Sequence, residues 1–485
     1  APPRVSGELH VPVRDSSPPE AVVVPIASLP DDPTEIIDLL HAELPPLSTW
    51  LEFAKAYLAQ GKDDAFLALI TDGQSPEVEQ FYKDGTYERI GIFCAGAAYY
   101  TRKGKDAERR EREQLFNLAT ACISFASRLD QNEQRPWVAK AVLAAARGNL
   151  EDAGKSFDQA AEHRDCGRES VAPLLGKAAV CYARRQYTDA LRLYERALRT
   201  HPGAPAALRL GLGHCHFMLG SRGKAAMAYR RVLQLDPRSA DALLGLATLA
   251  MTEGEAGSAE RRDGTREGLS LLERAFDADP AHPGVLNKLA EHYLVAGAHD
   301  KVDPLVGAAF AGSAVPAVRA EACFHAARAA HARGQLEQAK HWYGAAVRVH
   351  PDYVPPHLGL GQIALEAGDR RAAAMHFEKV RQEYPGSAVA ARALGHLYGL
   401  EGRGEEKAAP LLREAAERDG ADAGAQVELG ELLARTRPAE ALEAYERAVK
   451  LMGRKGGEVP YALLNNAGVL HAQAGDAGAA RGRLA

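Results

Sequence analysis

Between Leu210 and Ala225 the chain reads LGLGHCHFMLGSRGKA, a stretch whose residue types could serve phosphate binding or metal binding. Gly223-Lys224 resembles the end of a phosphate loop, and His214, Cys215 and His216 are three metal-ligating types in a row. A phosphate loop requires Gly-x4-Gly-Lys-Ser/Thr after a strand, so that backbone N–H groups cradle phosphate and a hydroxyl holds magnesium. Here Met218 stands where the first glycine belongs, Ala225 replaces the hydroxyl, and the preceding residues have a helical period. Consecutive residues on a helix radiate about 100° apart, so the His-Cys-His run cannot converge on one ion. His163 and Cys166 have a ligand-like spacing but lack a second pair. No Ser or Cys nucleophile sits on a turn of its own. The expectation is a chain with no catalytic residues, no cofactor and no metal.

The elements around that stretch explain it better. YTDALRLYERALRTHP, RGKAAMAYRRVLQLDP, LEQAKHWYGAAVRVHP and RRAAAMHFEKVRQEYP align without gaps. Their closing prolines are Pro202, Pro237, Pro351 and Pro385, which lie 35 apart in the first pair (237 − 202) and 34 apart in the second (385 − 351). Each segment has a small residue, an aromatic four further on, and Ala or Val three after that: Ala190/Tyr194/Ala197, Ala225/Tyr229/Val232, Ala339/Tyr343/Ala346 and Ala373/Phe377/Val380. Those spacings put all three on one helical stripe, and the proline ends the helix. A second helical pattern precedes each, as in LRLGLGHCHFML and PHLGLGQIALEA, with a Gly-containing turn between. Two helices in about 34 residues, small residues where they cross and a closing proline make the tetratricopeptide (TPR) pattern.

The fold expected is therefore all-α: a right-handed superhelical solenoid of ten to twelve TPR helix pairs, preceded by a short extended N-terminal segment. Residues 1–33, with LHVPVRD and AVVVPIASLP, are proline-punctuated and expected to be extended; residues 34–130 read as irregular TPR-like pairs, including STWLEFAKAYLAQGKDDAFLALI with Trp50 and Tyr57 in consensus places. Residues 131–485 read as the regular array, with TEGEAGSAERRDGT expected as a surface-loop insertion at about 252–265 and an incomplete last repeat. The chain begins with Ala1 rather than Met and ends within a repeat, so both ends read as trimmed.

Composition narrows the function. A chain of 485 residues that is 46% hydrophobic and 25% charged suits a folded protein too long for one compact core. Its net charge of −5 gives no overall signal for nucleic acid, and no apolar run is long enough to span a membrane. Cys94, Cys122, Cys166, Cys181, Cys215 and Cys323 include no Cys-x-x-Cys, which suits free thiols in an intracellular protein.

One feature suggests a binding surface. Position 6 of the first helix is glycine in four repeats: Gly176, Gly211, Gly245 and Gly359. Glycine inside a helix costs about 1 kcal/mol relative to alanine, so the row needs a reason. Two are open: a concave groove widened for a partner, or tight packing between helices. The lysine–asparagine pair that clamps chaperone tails is missing, since its places hold Leu175/Ala179, Leu210/His214 and Phe324/Arg328; an asparagine ladder is missing too, with Asn466 its one rung.

Non-consensus stretches carry a more specific resemblance. LHAELPPLSTWLEFAKAYLAQGK, DGTYERIGIFCAGAAYYTRKGK, ALRTHPGAPAALRLGLGHCHFMLGSRGKA, VLNKLAEHYLVAGAHDKV, EYPGSAVAARALGHLY and GGEVPYALLNNAGVLHAQAG occur in that order. Together they resemble the large TPR subunit of the RNA polymerase II-associated factor (PAF) complex, in its plant or algal form, without that subunit's C-terminal part. The resemblance implies a nuclear, non-enzymatic scaffold that helps couple RNA polymerase II elongation to histone modification. It implies as partners the subunit that names the complex and the parafibromin-type subunit, with polymerase reached indirectly or through the missing C-terminal region. It transfers no individual binding residue. The alternative is a cytosolic TPR adaptor for chaperones or trafficking. RKGKDAERRERE interleaves too many acids to serve as a nuclear import signal.

Overall fold

A computed structural model describes residues 7–14, 20–107, 109–163, 170–254, 258–400, 404–454 and 458–484. Two compact units divide the chain, Ala1–Ala278 and Asp279–Ala485. Among the described residues there are 26 α-helices, of which all but Thr34–Glu43 and Pro76–Phe81 form consecutive short-turn pairs. Each unit contains six such pairs. No described helix is long and apolar enough to cross a membrane. The all-α TPR architecture read from the period is the architecture present.

Each pair follows from the stripe described above. Ala225, Tyr229 and Val232, on helix Arg222–Leu235, are at most 1% exposed, and the equivalent residues of helix Arg370–Glu383 are at most 2% exposed. Their neighbours are the helix before and the helix after, so apolar burial is shared between adjacent repeats. The LGLGHCHFM stretch is helix Ala206–Met218, and the glycine that follows, Gly220, makes the turn into the second helix at φ +72°. The same turn holds Gly334 at +74° and Gly368 at +77°, while the repeat beginning at Val171 puts Arg185 there at +62°. A side chain in that left-handed region clashes with its own backbone by about 1–2 kcal/mol.

The N-terminal segment is more ordered than an extended strap. Strands Glu8–Pro12 and Ala21–Pro25 pair antiparallel, with Val11 opposite Val22. Val11 is fully buried in a cluster with Leu40, Trp50 and Tyr57, whereas Val22 and Val23 are exposed. The Lys62 ammonium ties the segment down by donating to the Leu29 carbonyl at 2.8 Å and pairing with Asp31 at 2.8 Å.

The expected loop at about 252–265 needs a correction. Residues 255–257 lie outside the described residues, but from Ala259 the insertion is helix, continuous with Ala259–Ala278. The extra residues lengthen a helix because AERRDGTRE is rich in helix formers, and because the new turns find partners. The Arg261 guanidinium donates to the Met251 carbonyl, and Thr265 Oγ1 donates to the Arg261 carbonyl at 2.7 Å. Gly264 and Gly268 bring this helix against the end of helix Ala240–Met251, at Ala250 and Met251.

Arg185→Gly should relieve a turn that is built on a side chain in this left-handed conformation. Amides of residues 171–200 should then exchange hydrogen about fivefold more slowly, corresponding to about 1 kcal/mol of local stability. Unchanged exchange would show that the left-handed turn carries no strain.

Candidate functional site

The glycine row is the place to test whether the sequence marks a binding groove. Every member faces an aromatic ring from the preceding repeat: Gly176 faces Phe157, Gly211 faces Tyr194, Gly245 faces Tyr229 and Gly359 faces Tyr343. A methyl group on Gly211 would lie 2.7 Å from Tyr194 Cζ, and one on Gly245 would lie 2.7 Å from Tyr229 Cζ. Carbon atoms in contact sit about 3.5–4.0 Å apart, so neither methyl fits unless the ring moves. Two positions further along, Gly213 faces Tyr229 and Gly361 faces Phe377, each the ring of its own repeat. The Tyr229 ring is thus held between Gly213 and Gly245.

Gly176, Gly211, Gly245 and Gly359, for which the sequence left open a partner groove or tight packing, each abut a ring of the array. The space their missing side chains leave is already filled from within the array, so they form sockets for rings. Of the two explanations left open by the sequence, tight packing accounts for the row. Burial pushes the phenols of Tyr194 and Tyr343 up to about 12, so both rings pack as neutral groups.

The side chains that suggested chemistry are also packing residues. Cys215 is fully buried, and burial pushes its thiol up to about 11, which leaves no thiolate at neutral pH. His214 meets Tyr229 edge-on at 5.7 Å, and burial holds its imidazole below the usual value. His163 stacks on Trp137 at 6.3 Å, while Cys166 lies outside the described residues. Among the described residues no three His, Cys, Asp or Glu side chains gather as a metal site would need.

A surface the sequence did not single out lies in the first unit. Helices Arg109–Leu129, Gln134–Ala146 and Leu150–Glu162 enclose a cleft of about 820 Å³. Arg128, Trp137, Lys140 and Arg147 line it from two different helices and a turn, so no local motif announces it.

The second unit has a histidine pair between the two helices of one repeat, with His357 Nδ1 and His376 Nδ1 3.0 Å apart. Burial holds both below the usual histidine value, and at His357 the neighbouring His376 and Lys379 add to the effect.

Comparison with known proteins agrees with the repeat pattern. The tetratricopeptide repeat family model matches residues 175–237 and 324–388. Protein CTR9 homolog of Arabidopsis thaliana is 37% identical over 468 residues, covering 96% of this chain and 42% of that protein. RNA polymerase-associated protein CTR9 of Caenorhabditis elegans is 25% identical over 479 residues, covering 96% of this chain and 41% of that protein. The chain therefore spans about two-fifths of the length of these curated relatives. Among solved structures, the APC/C hetero-tetramer Cut9-Hcn1 has a TM-score of 0.50 at 12% identity, over 88% of this chain and 98% of that one, a likeness of fold alone.

Two predictions follow from the sockets and the histidine pair. Gly359→Ala should destabilise the second unit by about 1–3 kcal/mol by driving a methyl into Tyr343, although alanine is the better helix former. Gly307→Ala, in helix Val302–Ala311 with open space around it, should stabilise the same unit by about 0.5–1 kcal/mol. Urea denaturation of both variants checks the contrast, and equal effects would remove the sockets. The histidines bind fewer protons folded than unfolded, so stability is fully present above the unfolded value near 6.5 and falls as pH drops through it towards the lower folded values. His376→Gln should reduce the loss of melting temperature between pH 7.5 and 5.5, and an unchanged loss would place that dependence elsewhere.

Proposed function

We propose that this chain, a relative of the CTR9 proteins along nearly its whole length, is a non-enzymatic scaffold of a PAF-type transcription-elongation complex. The observation that carries the reading is the 37% identity to the Arabidopsis protein, sustained over 96% of the chain and so well beyond the two stretches matched by the repeat family. A generic TPR array would share the small and aromatic consensus positions without matching the N-terminal hairpin or the inserted helix. Two further relatives, in Caenorhabditis elegans and Saccharomyces cerevisiae, are named as RNA polymerase-associated, which supports work in the nucleus near polymerase.

The physical role of such a chain is to present surface. Each repeat buries one face against its neighbours and leaves helix faces and inter-repeat edges free to receive a segment of another subunit. Binding orders that segment, so several proteins are held in fixed register. The expected occupants are the subunit that names the complex and the parafibromin-type subunit. Held together, they would help couple RNA polymerase II elongation to histone modification. RNA polymerase II itself would be reached through them or through parts of the relatives' length that this chain does not span.

A pull-down from nuclear extract with this chain as bait, read by mass spectrometry against an unrelated TPR array, tests the proposal. Selective recovery of PAF-complex subunits is expected. Recovery of chaperones or vesicle-trafficking proteins in their place would point to a cytosolic adaptor and overturn it.

A further inference from the structure

The cleft between helices Arg109–Leu129, Gln134–Ala146 and Leu150–Glu162 has an unusual charge balance for a protein whose net charge is −5. Four cations line it, Arg128, Lys140, Arg147 and Lys155, against one carboxylate, Asp152; Lys155 is paired with Glu151 at 2.8 Å, which leaves Arg128, Lys140 and Arg147 without a carboxylate partner among the described residues. The Asp152 carboxylate is already engaged: the Asn149 amide donates to it, at the start of a helix whose N-terminal dipole favours negative charge. Arg128 lies over the Phe125 ring at 5.6 Å, Lys140 over Trp137 at 4.9 Å and Arg147 over Phe116 at 5.8 Å. The Arg147 guanidinium otherwise donates to neutral oxygens, at Thr120 and Asn117.

Two other clefts of the chain contain paired cations. In the adjoining cleft Lys177 pairs with Asp158 and Arg192 with Asp189. In the second unit, a cleft beside helix Pro438–Arg454 pairs Arg413 with Glu440 and Arg447 with Glu443. In the cleft at Trp137 the three cations Arg128, Lys140 and Arg147 are held on ring faces instead. Cations held on ring faces keep their charge available and are pre-positioned, so an incoming carboxylate meets them with little loss of side-chain freedom.

We infer that this cleft is a docking site for an acidic, extended peptide segment of a partner protein, its carboxylates received by Arg128, Lys140 and Arg147. Arginine suits paired carboxylate oxygens, and the hydroxyls of Thr120, Ser124 and Ser127 with the Gln159 amide offer partners for the segment's backbone. Trp137 gives one apolar face for a side chain between the acids. A peptide fits better than a nucleic acid strand, which needs successive rings for stacking bases; here the one indole in the lining already stacks on His163. The inference rests on reading this chain as a partner-holding scaffold and adds the chemistry of one partner segment.

The test is fluorescence anisotropy of a fluorescein-labelled peptide of mixed Glu, Asp and Gly titrated with the full chain, beside a Lys-Gly peptide and a single-stranded RNA of similar length. Saturable binding of the acidic peptide alone is expected, weakening as salt rises. Arg128→Glu with Lys140→Glu, both exposed, should reduce its affinity at least tenfold with unchanged circular dichroism, and Arg128→Gln with Lys140→Gln should reduce it less. Reversing Arg192 and Arg266, exposed cations outside the cleft, should change it little. No binding, binding indifferent to the Arg128 and Lys140 variants, or tighter binding of the RNA would each overturn the site. If the charge-reversed chain still recovers PAF-complex subunits in the pull-down, the scaffold reading stands and this cleft is not its docking site.

Discussion

One contact recurs through much of this chain: an aromatic ring on the second helix of a repeat enters a hole that a glycine leaves open, as at Phe157, Tyr194, Tyr229, Tyr343, Phe377 and Tyr445. Tyr229 is the fullest case, because Gly213 of its own repeat and Gly245 of the next bring backbone to both sides of the ring. Phe377 packs against Gly361 of its own repeat, and Tyr343 against Gly359 of the next. The Tyr229 ring ties two successive first helices to the second helix between them. Burial then passes from repeat to repeat with no central core, and a chain of this length can stay folded while almost every helix keeps a solvent face.

That construction fits the scaffold role proposed above. Residues that suggested chemistry in the sequence serve packing here: Cys215 is a buried thiol, His214 lies against the Tyr229 ring, and burial raises the Tyr194 phenol well above neutral pH. On the outward helix faces several cations are paired with carboxylates, as Lys177 is with Asp158 and Arg413 with Glu440. Around Trp137 the array offers a charged, partly apolar cleft. Similarity to CTR9 proteins is spread over the whole chain, as expected when function is distributed over a long surface.

What was readable in the sequence was what repeats. The Ala190/Tyr194/Ala197 stripe and its three copies announced the helix pairs, their length and their buried face, because each contact recurs at a fixed spacing. The failure of LGLGHCHFMLGSRGKA as a phosphate or metal site was equally legible, since those chemistries demand spacings that a helix does not supply. The purpose of the glycine row was not. A gap in one helix says nothing of which residue fills it, and the fillers, Tyr194 and Tyr229, lie in the preceding repeat. The strands Glu8–Pro12 and Ala21–Pro25 were too short and proline-rich to be read as a hairpin, and the insertion looked like a loop because its partners at Ala250 and Met251 act through space. The cleft was hidden for the same reason: Arg128, Lys140 and Arg147 meet only after three helices pack.

The central claim is that this stretch of chain is itself an assembly surface. The most direct measurement is size-exclusion chromatography with light scattering on the purified chain mixed with the purified subunit that names the PAF complex. The account predicts one co-eluting species whose mass contains both proteins. Separate elution of the two folded proteins at micromolar concentration would contradict it.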